Sequence, residues 1–230
     1  MSMEFRDWLE KLGLKPTEKQ MKQFEQYHDF LISKNQVMNL TTITIKEEVY
    51  LKHFVDSLHL SKATDLNQKS ILDVGAGAGF PSIPLKIMFP SIKVTIIDAL
   101  LKRINFLHEL LEILQIDDVT LIHGRAEELT QKESFDIVTA RAIAKLNILS
   151  ELCIPFVKRE GLFIAMKSLN FEEELQEARH AIRVLGAIDE KVVVYPLSEE
   201  LSHVLLIFKK TKSSPSEYPR NYGLIKKKPL

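Results

Sequence analysis

The sequence has a single cysteine, Cys153. That excludes an internal disulfide and leaves a thiolate zinc site short of ligands. Cys153 lies in the apolar segment ILSELCIPFV, which assigns it to packing and not to nucleophilic chemistry. No apolar run approaches the roughly 20 residues that a membrane helix needs. The opening MSMEFRDWLEKLGL carries acids and a Trp where a secretory signal would place bases and then an apolar stretch. The expectation is a cytoplasmic protein without a membrane partner, and no segment announces an obligate protein partner. Net charge is missing as well, since 31 Lys and Arg balance 31 Asp and Glu. A chain coated in base for nucleic acid is excluded on that ground.

What is present is ordinary in amount and uneven in placement. With 230 residues, 45% hydrophobic and 27% charged, the chain is long enough for one well-buried α/β domain and a modest extension. Lys209 to Leu230 carries seven bases and one acid, Glu217, a surplus of +6, so the rest of the chain carries −6. A basic tail on an acidic body steers a polyanion to one side; a solvated, frayed terminus is the other reading.

Residues 1–62 read as a small helical cap. Thr17 to Gln20 fits a capping box, and Met21, Phe24, Tyr27, Phe30 and Leu31 follow at helical spacing. A second box at Thr44 to Glu47 precedes Val49, Phe54 and Leu58, with His53, Asp56 and Ser57 among them. From residue 63 to 210 the period becomes that of short buried strands: Ser70–Val74, Val94–Asp98, Val119–His123, Phe135–Ala140, Gly161–Lys167, Val192–Tyr195 and Val204–Phe208. Helical segments separate the first five, such as KRINFLHELLEILQ with Ile104, Leu107, His108 and Leu111 on one face. That alternation predicts a doubly wound α/β sheet of about seven strands, mostly parallel, with an antiparallel final pair and one reversed edge strand. Residues 211–230 form the basic tail.

Within this frame the stretch DVGAGAGFPSIPL is the informative one. It occupies the first strand-to-helix turn, the usual floor of the ligand crevice in such sheets. A dinucleotide fingerprint would place a glycine at 80, where Phe80 stands, and no Gly-Lys-Ser/Thr phosphate loop is present. Gly75, Gly77 and Gly79 clear side chains so that backbone can approach a ligand, Phe80 and Pro81 supply an apolar wall, and Asp73 precedes the turn. Asp98 ends the second strand where an acid reaches a ribose diol. These features together predict an adenosine-bearing ligand without a phosphate grip.

ILDVGAGAGFPSIPL followed by VTIIDALLKRINFL resembles motifs I and II of class I S-adenosylmethionine-dependent methyltransferases. NLTTI at 39–43, HFVDSL at 53–58, GRAEEL at 124–129, TARAIAKL at 139–146 and the Met166-Lys167 pair narrow the resemblance. The chain is similar to the bacterial small-subunit rRNA guanine-N7 methyltransferase family, also called glucose-inhibited division protein B. The resemblance implies a Rossmann-like core, S-adenosylmethionine as cofactor, and methyl transfer to N7 of the guanine at position 527 of 16S rRNA, with 16S rRNA or the small ribosomal subunit as partner. It implies that Gly75 and Phe80 touch the cofactor, Asp98 its ribose, and Ala126 and Glu127 its adenine. It places Arg141 where cofactor and guanine meet. Ser82 replaces a common glycine, and Ile225-Lys226 replaces a usual Pro-Asn in the tail.

Guanine N7 bears a free lone pair and no proton, so transfer to it needs alignment and no general base. Neither a Cys nucleophile nor an N-P-P-Y or D-P-P-Y block is present. Arg141 and Lys167, both at strand ends, are the catalytic candidates; Arg141 suits a guanine edge or a phosphate, with a structural ion pair as its alternative. Lys102, Arg103, Arg220, Lys226, Lys227 and Lys228 are the RNA-binding candidates, each set against a solvated face. His53 and Asp56 share one helix face; two ligands without a third make no metal site, and no metal is expected. Methylation of another substrate, and a non-catalytic cofactor- or RNA-binding module, are the competing readings.

Overall fold

The computed structural model describes residues 3–141 and 144–230; Ala142 and Ile143 of the TARAIAKL block lie outside the described residues. Seven strands form one sheet in the order β3-β2-β1-β4-β5-β7-β6. They are β1 Ser70–Val74, β2 Lys93–Asp98, β3 Val119–His123, β4 Phe135–Arg141, β5 Val157–Ser168, β6 Ala187–Pro196 and β7 Ser202–Lys210. β1 to β5 pair in parallel, and β7 runs antiparallel to both β5 and β6. The reversed strand therefore sits one place in from the edge, because β7 folds back from the hairpin to lie between β5 and β6.

Alternation along the strands sends neighbours to opposite faces. Ile71, Ile96, Ile137 and Ile164 join one apolar cluster, and Leu72, Ile97, Val138 and Phe163 the other. The first cluster is closed by α1 (Met3–Lys11), α2 (Glu18–Met38), α5 (Ser82–Met88) and α6 (Leu101–Leu114); the second by α7 (Leu146–Cys153), α8 (Glu172–Val184) and α9 (Tyr222–Lys227). The N-terminal helices share the sheet's own core: Phe5, Phe24, Tyr27 and Phe54 are all 0% exposed. Each such side chain contributes about 1.5–3 kcal/mol by leaving water.

Thr17 caps α2 as expected, with Gln20 N–H donating to Thr17 Oγ1 at 3.3 Å and Thr17 N–H to Gln20 Oε1 at 2.8 Å. The second box does not form. α3 (Lys46–Val49) is capped by Ile45 without a side-chain bond, so Thr44 stands one residue too early. α3 continues through a π-helical turn, Tyr50–Val55, into α4 (Asp56–Leu58). On α6 the buried stripe is Ile104, Phe106, Leu107, Leu110 and Leu114, whereas His108 is exposed and Leu111 half-buried. The face is rotated towards 106 and 110, where it meets the core.

The tail is packed and not frayed. Ile225 is 0% exposed, and Tyr218, Tyr222 and Leu230 lie against the second cluster. Lys210, 1% exposed, spends its ammonium on the Ile154 carbonyl (2.8 Å) and Ser214 Oγ (2.7 Å). Burial drives its pKa down to about 8, against the nearby Glu133 carboxylate. Cys153 is buried and its thiol pKa is raised by that burial, in keeping with packing.

Candidate active site

The order in which the parallel strands are laid down reverses between β1 and β4, so a crevice opens beyond the carboxyl end of β1. The turn there is left-handed at Gly75, Gly77 and Gly79, with φ of 71°, 61° and 99°. Gly75 N–H donates to the Ile97 carbonyl at 2.8 Å. A Cβ on Gly77 would meet nothing within 4 Å, so this glycine serves backbone conformation on an open face. A Cβ on Gly79 would come within 2.8 Å of both Ile83 Cγ1 and Tyr27 Oη. Gly79 is thus required by helix packing as well as by its left-handed backbone. Asp73 also lies beneath the turn, 0% exposed, with Ser82 N–H donating to its Oδ2 at 3.2 Å. Burial pushes its pKa up to about 7, against the Ser82 side chain, the Ser82 N–H and the Arg141 charge. Among the described residues, Asp73 Oδ1 and Ser82 Oγ have no hydrogen-bond partner.

Three adjoining depressions run across the crevice. The first, about 210 Å³, is bordered by Gly75, Asp98, Arg103, Ala126, Glu127 and Tyr222. Gly75 and Arg103 also border the second, about 260 Å³, which includes Gly77, Phe80, His53 and Arg141. His53 and Arg141 in turn border the third, about 670 Å³, together with Asp56, Lys167 and His203. Asp98 is 4% exposed. Its Oδ2 accepts from Gly77 N–H and Arg103 Nη1, both at 3.2 Å, and its Oδ1 accepts from Leu100 N–H at 2.9 Å. A carboxylate oxygen accepts two bonds, so Oδ1 keeps one acceptor position.

Arg141, at the end of β4, is the junction of the second and third depressions. Its Nη1 donates to Asp56 Oδ2 at 3.1 Å and to the Lys52 carbonyl at 3.3 Å. Its Nη2 lies 3.3 Å from His53 Nδ1, and its guanidinium carbon stands 4.9 Å over the Phe80 ring. His53 is stacked on the same ring, centroids 4.7 Å apart, with Nε2 2.9 Å from Thr41 Oγ1. Burial and the Arg141 charge lower the His53 pKa to about 4, so the ring is neutral at pH 7; its Nδ1 also lies 3.2 Å from the Lys52 carbonyl, and donates to that oxygen in one tautomer or accepts from the guanidinium in the other. Asp56 Oδ1 accepts from Tyr195 O–H and His203 Nδ1–H, each at 2.8 Å. Burial alone would raise the Asp56 pKa, but the His203 bond and the Arg141 charge outweigh it and hold it below 3.8.

Lys167 Nζ is held by the Ala144 carbonyl at 2.8 Å and Glu174 Oε2 at 2.6 Å on the wall of the large cavity. Lys102 and Arg103 diverge: Lys102 is exposed, with Nζ 3.1 Å from the Met38 carbonyl, while Arg103 turns inward to Asp98. Arg220 is spent on Glu151, which is 0% exposed, so its guanidinium serves an internal ion pair. Lys226, Lys227 and Lys228 are exposed. Sequence reasoning paired His53 with Asp56 but missed Tyr195, His203 and Tyr222, whose only signal was polar or aromatic residues at the ends of late strands and in the tail.

Strand order and glycine turn together define a class I methyltransferase fold. Solved structures agree on the fold: the YcgJ protein from Bacillus subtilis superposes with a TM-score of 0.55 at 16% identity over 70% of this chain and 100% of that one. A structure of M. jannaschii TYW2 in complex with AdoMet gives 0.55 at 17% identity, covering 67% of this chain and 76% of the other. Residues 20–202 match the family described as GidB, rRNA small subunit methyltransferase G. The ribosomal RNA small subunit methyltransferase G of Staphylococcus saprophyticus is 51% identical over 95% of this chain and 93% of its own length. That of Bacillus subtilis is 48% identical over 99% and 98%. The chain belongs to the rRNA small subunit methyltransferase G family.

Proposed function

We propose that the protein transfers a methyl group from S-adenosylmethionine to N7 of the guanine at position 527 of 16S rRNA, acting in the cytoplasm on the rRNA or the small subunit. The observation that carries this reading is the placement of Arg141. It lines both the depression beside the glycine turn and the large cavity, so one side chain faces both reactants.

The residues present fit the cofactor. Gly77 leaves its face of the turn open, Asp98 Oδ1 can accept a ribose hydroxyl, and Ala126 with Glu127 flanks the far end. Bound there, S-adenosylmethionine supplies an electrophilic methyl on a sulfonium. The protein's own work is alignment and charge. Asp56 and neutral His53 fix the guanidinium over Phe80, leaving it to face an acceptor such as guanine O6 or a phosphate. The cavity of about 670 Å³ accommodates an extruded base. Because N7 loses no proton, none of these groups has to act as a base.

In this reading the chain divides its work among a cap (1–62), a cofactor core (63–210) and a basic tail (211–230). The cap supplies His53 and Asp56, the core supplies the turn, Asp98 and Arg141, and the tail presents Lys226 to Lys228. The test is incorporation of labelled methyl into small-subunit rRNA followed by mapping of 7-methylguanine. Modification at that guanine, abolished by Arg141→Ala with cofactor binding largely retained, is the expected result. Cofactor binding with no methyl incorporation would mean a binding module, and incorporation elsewhere would mean another substrate.

A further inference from the structure

The wall of the adenosine-side depression includes a residue that belongs to none of the sheet's strands or turns. Tyr222, the first residue of α9, borders it beside Ala126, Glu127 and Leu152. Its N–H donates to Glu127 Oε1 at 3.2 Å, and the Arg125 guanidinium stands 5.5 Å from its ring centre. The same short turn after β3 thus grips the tyrosine by backbone and by ring.

The segment that delivers Tyr222 is latched. Arg220 reaches Glu151 on α7 through three bonds, from N–H (2.9 Å), Nε (2.8 Å) and Nη2 (2.6 Å). Glu151 is 0% exposed, and a carboxylate so buried is tolerable only when paired and hydrogen-bonded. Asn221 caps α9 by accepting Gly223 N–H at 2.9 Å, and Ile225 is 0% exposed beneath it. A tail that only steered a polyanion would have no use for a buried ion pair two residues before an aromatic ring in the crevice.

We propose that Tyr222 is a cofactor-binding residue, its ring forming the wall against which the adenosine moiety of the cofactor packs, and that the Arg220–Glu151 pair is the latch that positions it. This rests on the S-adenosylmethionine reading above. An aromatic ring against a purine is worth about 1–3 kcal/mol where it has been removed in other proteins, which converts to a roughly 5- to 150-fold change in affinity.

Calorimetric titration of the full chain with S-adenosylhomocysteine, alongside thermal unfolding without ligand, tests it. Tyr222→Ala is expected to weaken binding at least fivefold, Tyr222→Phe to restore it to within about twofold, and Glu151→Gln to weaken it through the latch. Binding by Tyr222→Ala within twofold of the native chain overturns the proposal. If native protein fails to bind at all, the methyltransferase reading falls with it, which separates the two failures. Should Tyr222→Ala not fold, Tyr222→Trp in a Trp8→Phe background, which removes the one native tryptophan, reads the same wall by fluorescence. A signal saturating with S-adenosylhomocysteine supports the proposal, and an unresponsive one overturns it.

Discussion

Asp56 and Asp73 are both nearly sealed from solvent, at 2% and 0% exposure, and the Arg141 charge acts on both. Asp56 is surrounded by donors: Arg141, Tyr195 and His203 all bond to its carboxylate. Asp73 has the Ser82 N–H. The outcome is opposite charge behaviour, with the Asp56 pKa held below 3.8 and the Asp73 pKa pushed up to about 7. Burial is common to both; the number of donors that replace water decides which form survives.

The largest effect that would break this comparison is at Asp56. Asp56→Ala leaves Arg141 without its buried partner and Tyr195 O–H without an acceptor, a loss of about 5 kcal/mol. Urea denaturation checks it, and Asp56→Asn, which keeps an acceptor for Tyr195, is expected to lose less. Methyl transfer should fall in both with the guanidinium displaced, while S-adenosylhomocysteine binding in Asp56→Asn falls less.

At Asp73 the sign is reversed. A carboxyl whose folded pKa lies above its unfolded one binds more protons when folded, so stability falls as pH rises from about 4 to about 7. A shift of this size amounts to about 4 kcal/mol by pH 8. Asp73→Asn is expected to flatten that part of the profile and raise stability at pH 8, read from denaturation midpoints across pH. Asp56 contributes the other way: its stabilisation is present above 3.8 and disappears as pH falls through its lower folded value.

Smaller changes sharpen the same contrast. His203→Ala removes one of Asp56's donors and is expected to cost about 1–2 kcal/mol, with a raised Asp56 pKa visible by carboxyl titration in NMR. Ser82→Ala deletes the hydroxyl that helps hold the Asp73 pKa down and keeps the N–H that bonds it. The Asp73 pKa is expected to rise further, read by carboxyl titration in NMR, at a stability cost of no more than about 1 kcal/mol at pH 7.

The strands and the acid that border the glycine turn were legible because local pattern dictates them. Ser70–Val74 and Val119–His123 are bounded apolar runs that fold as read, and Asp98 follows from a strand end at a set distance from the glycine turn. The network around Arg141 was not legible. Asp56 meets Tyr195 and His203 across 139 and 147 residues of chain, and no periodicity encodes which distant side chains a sheet will bring together. The packing of the tail was not legible for a related reason. Its lysines dominate its composition, while its packing depends on three scattered residues, Arg220, Tyr222 and Ile225, that meet partners elsewhere. Thr44 failed by one residue of register, and His108 by a rotation of one helix face; periodicity fixes neither closely.

The reversed strand β7 has a further consequence. A parallel strand brings to the crevice only the residues at its exit, as β4 does with Arg141. Running the other way, β7 presents its beginning, so His203 stands level with Ser168 at the end of β5 and opposite Tyr195 at the end of β6. The hairpin tip between them contributes Leu201 to the large cavity. Leu197 ties that tip to the first apolar cluster and Leu201 packs against it, so the freedom to vary without disturbing a layer of the sheet is confined to the exposed residues 198–200 between them.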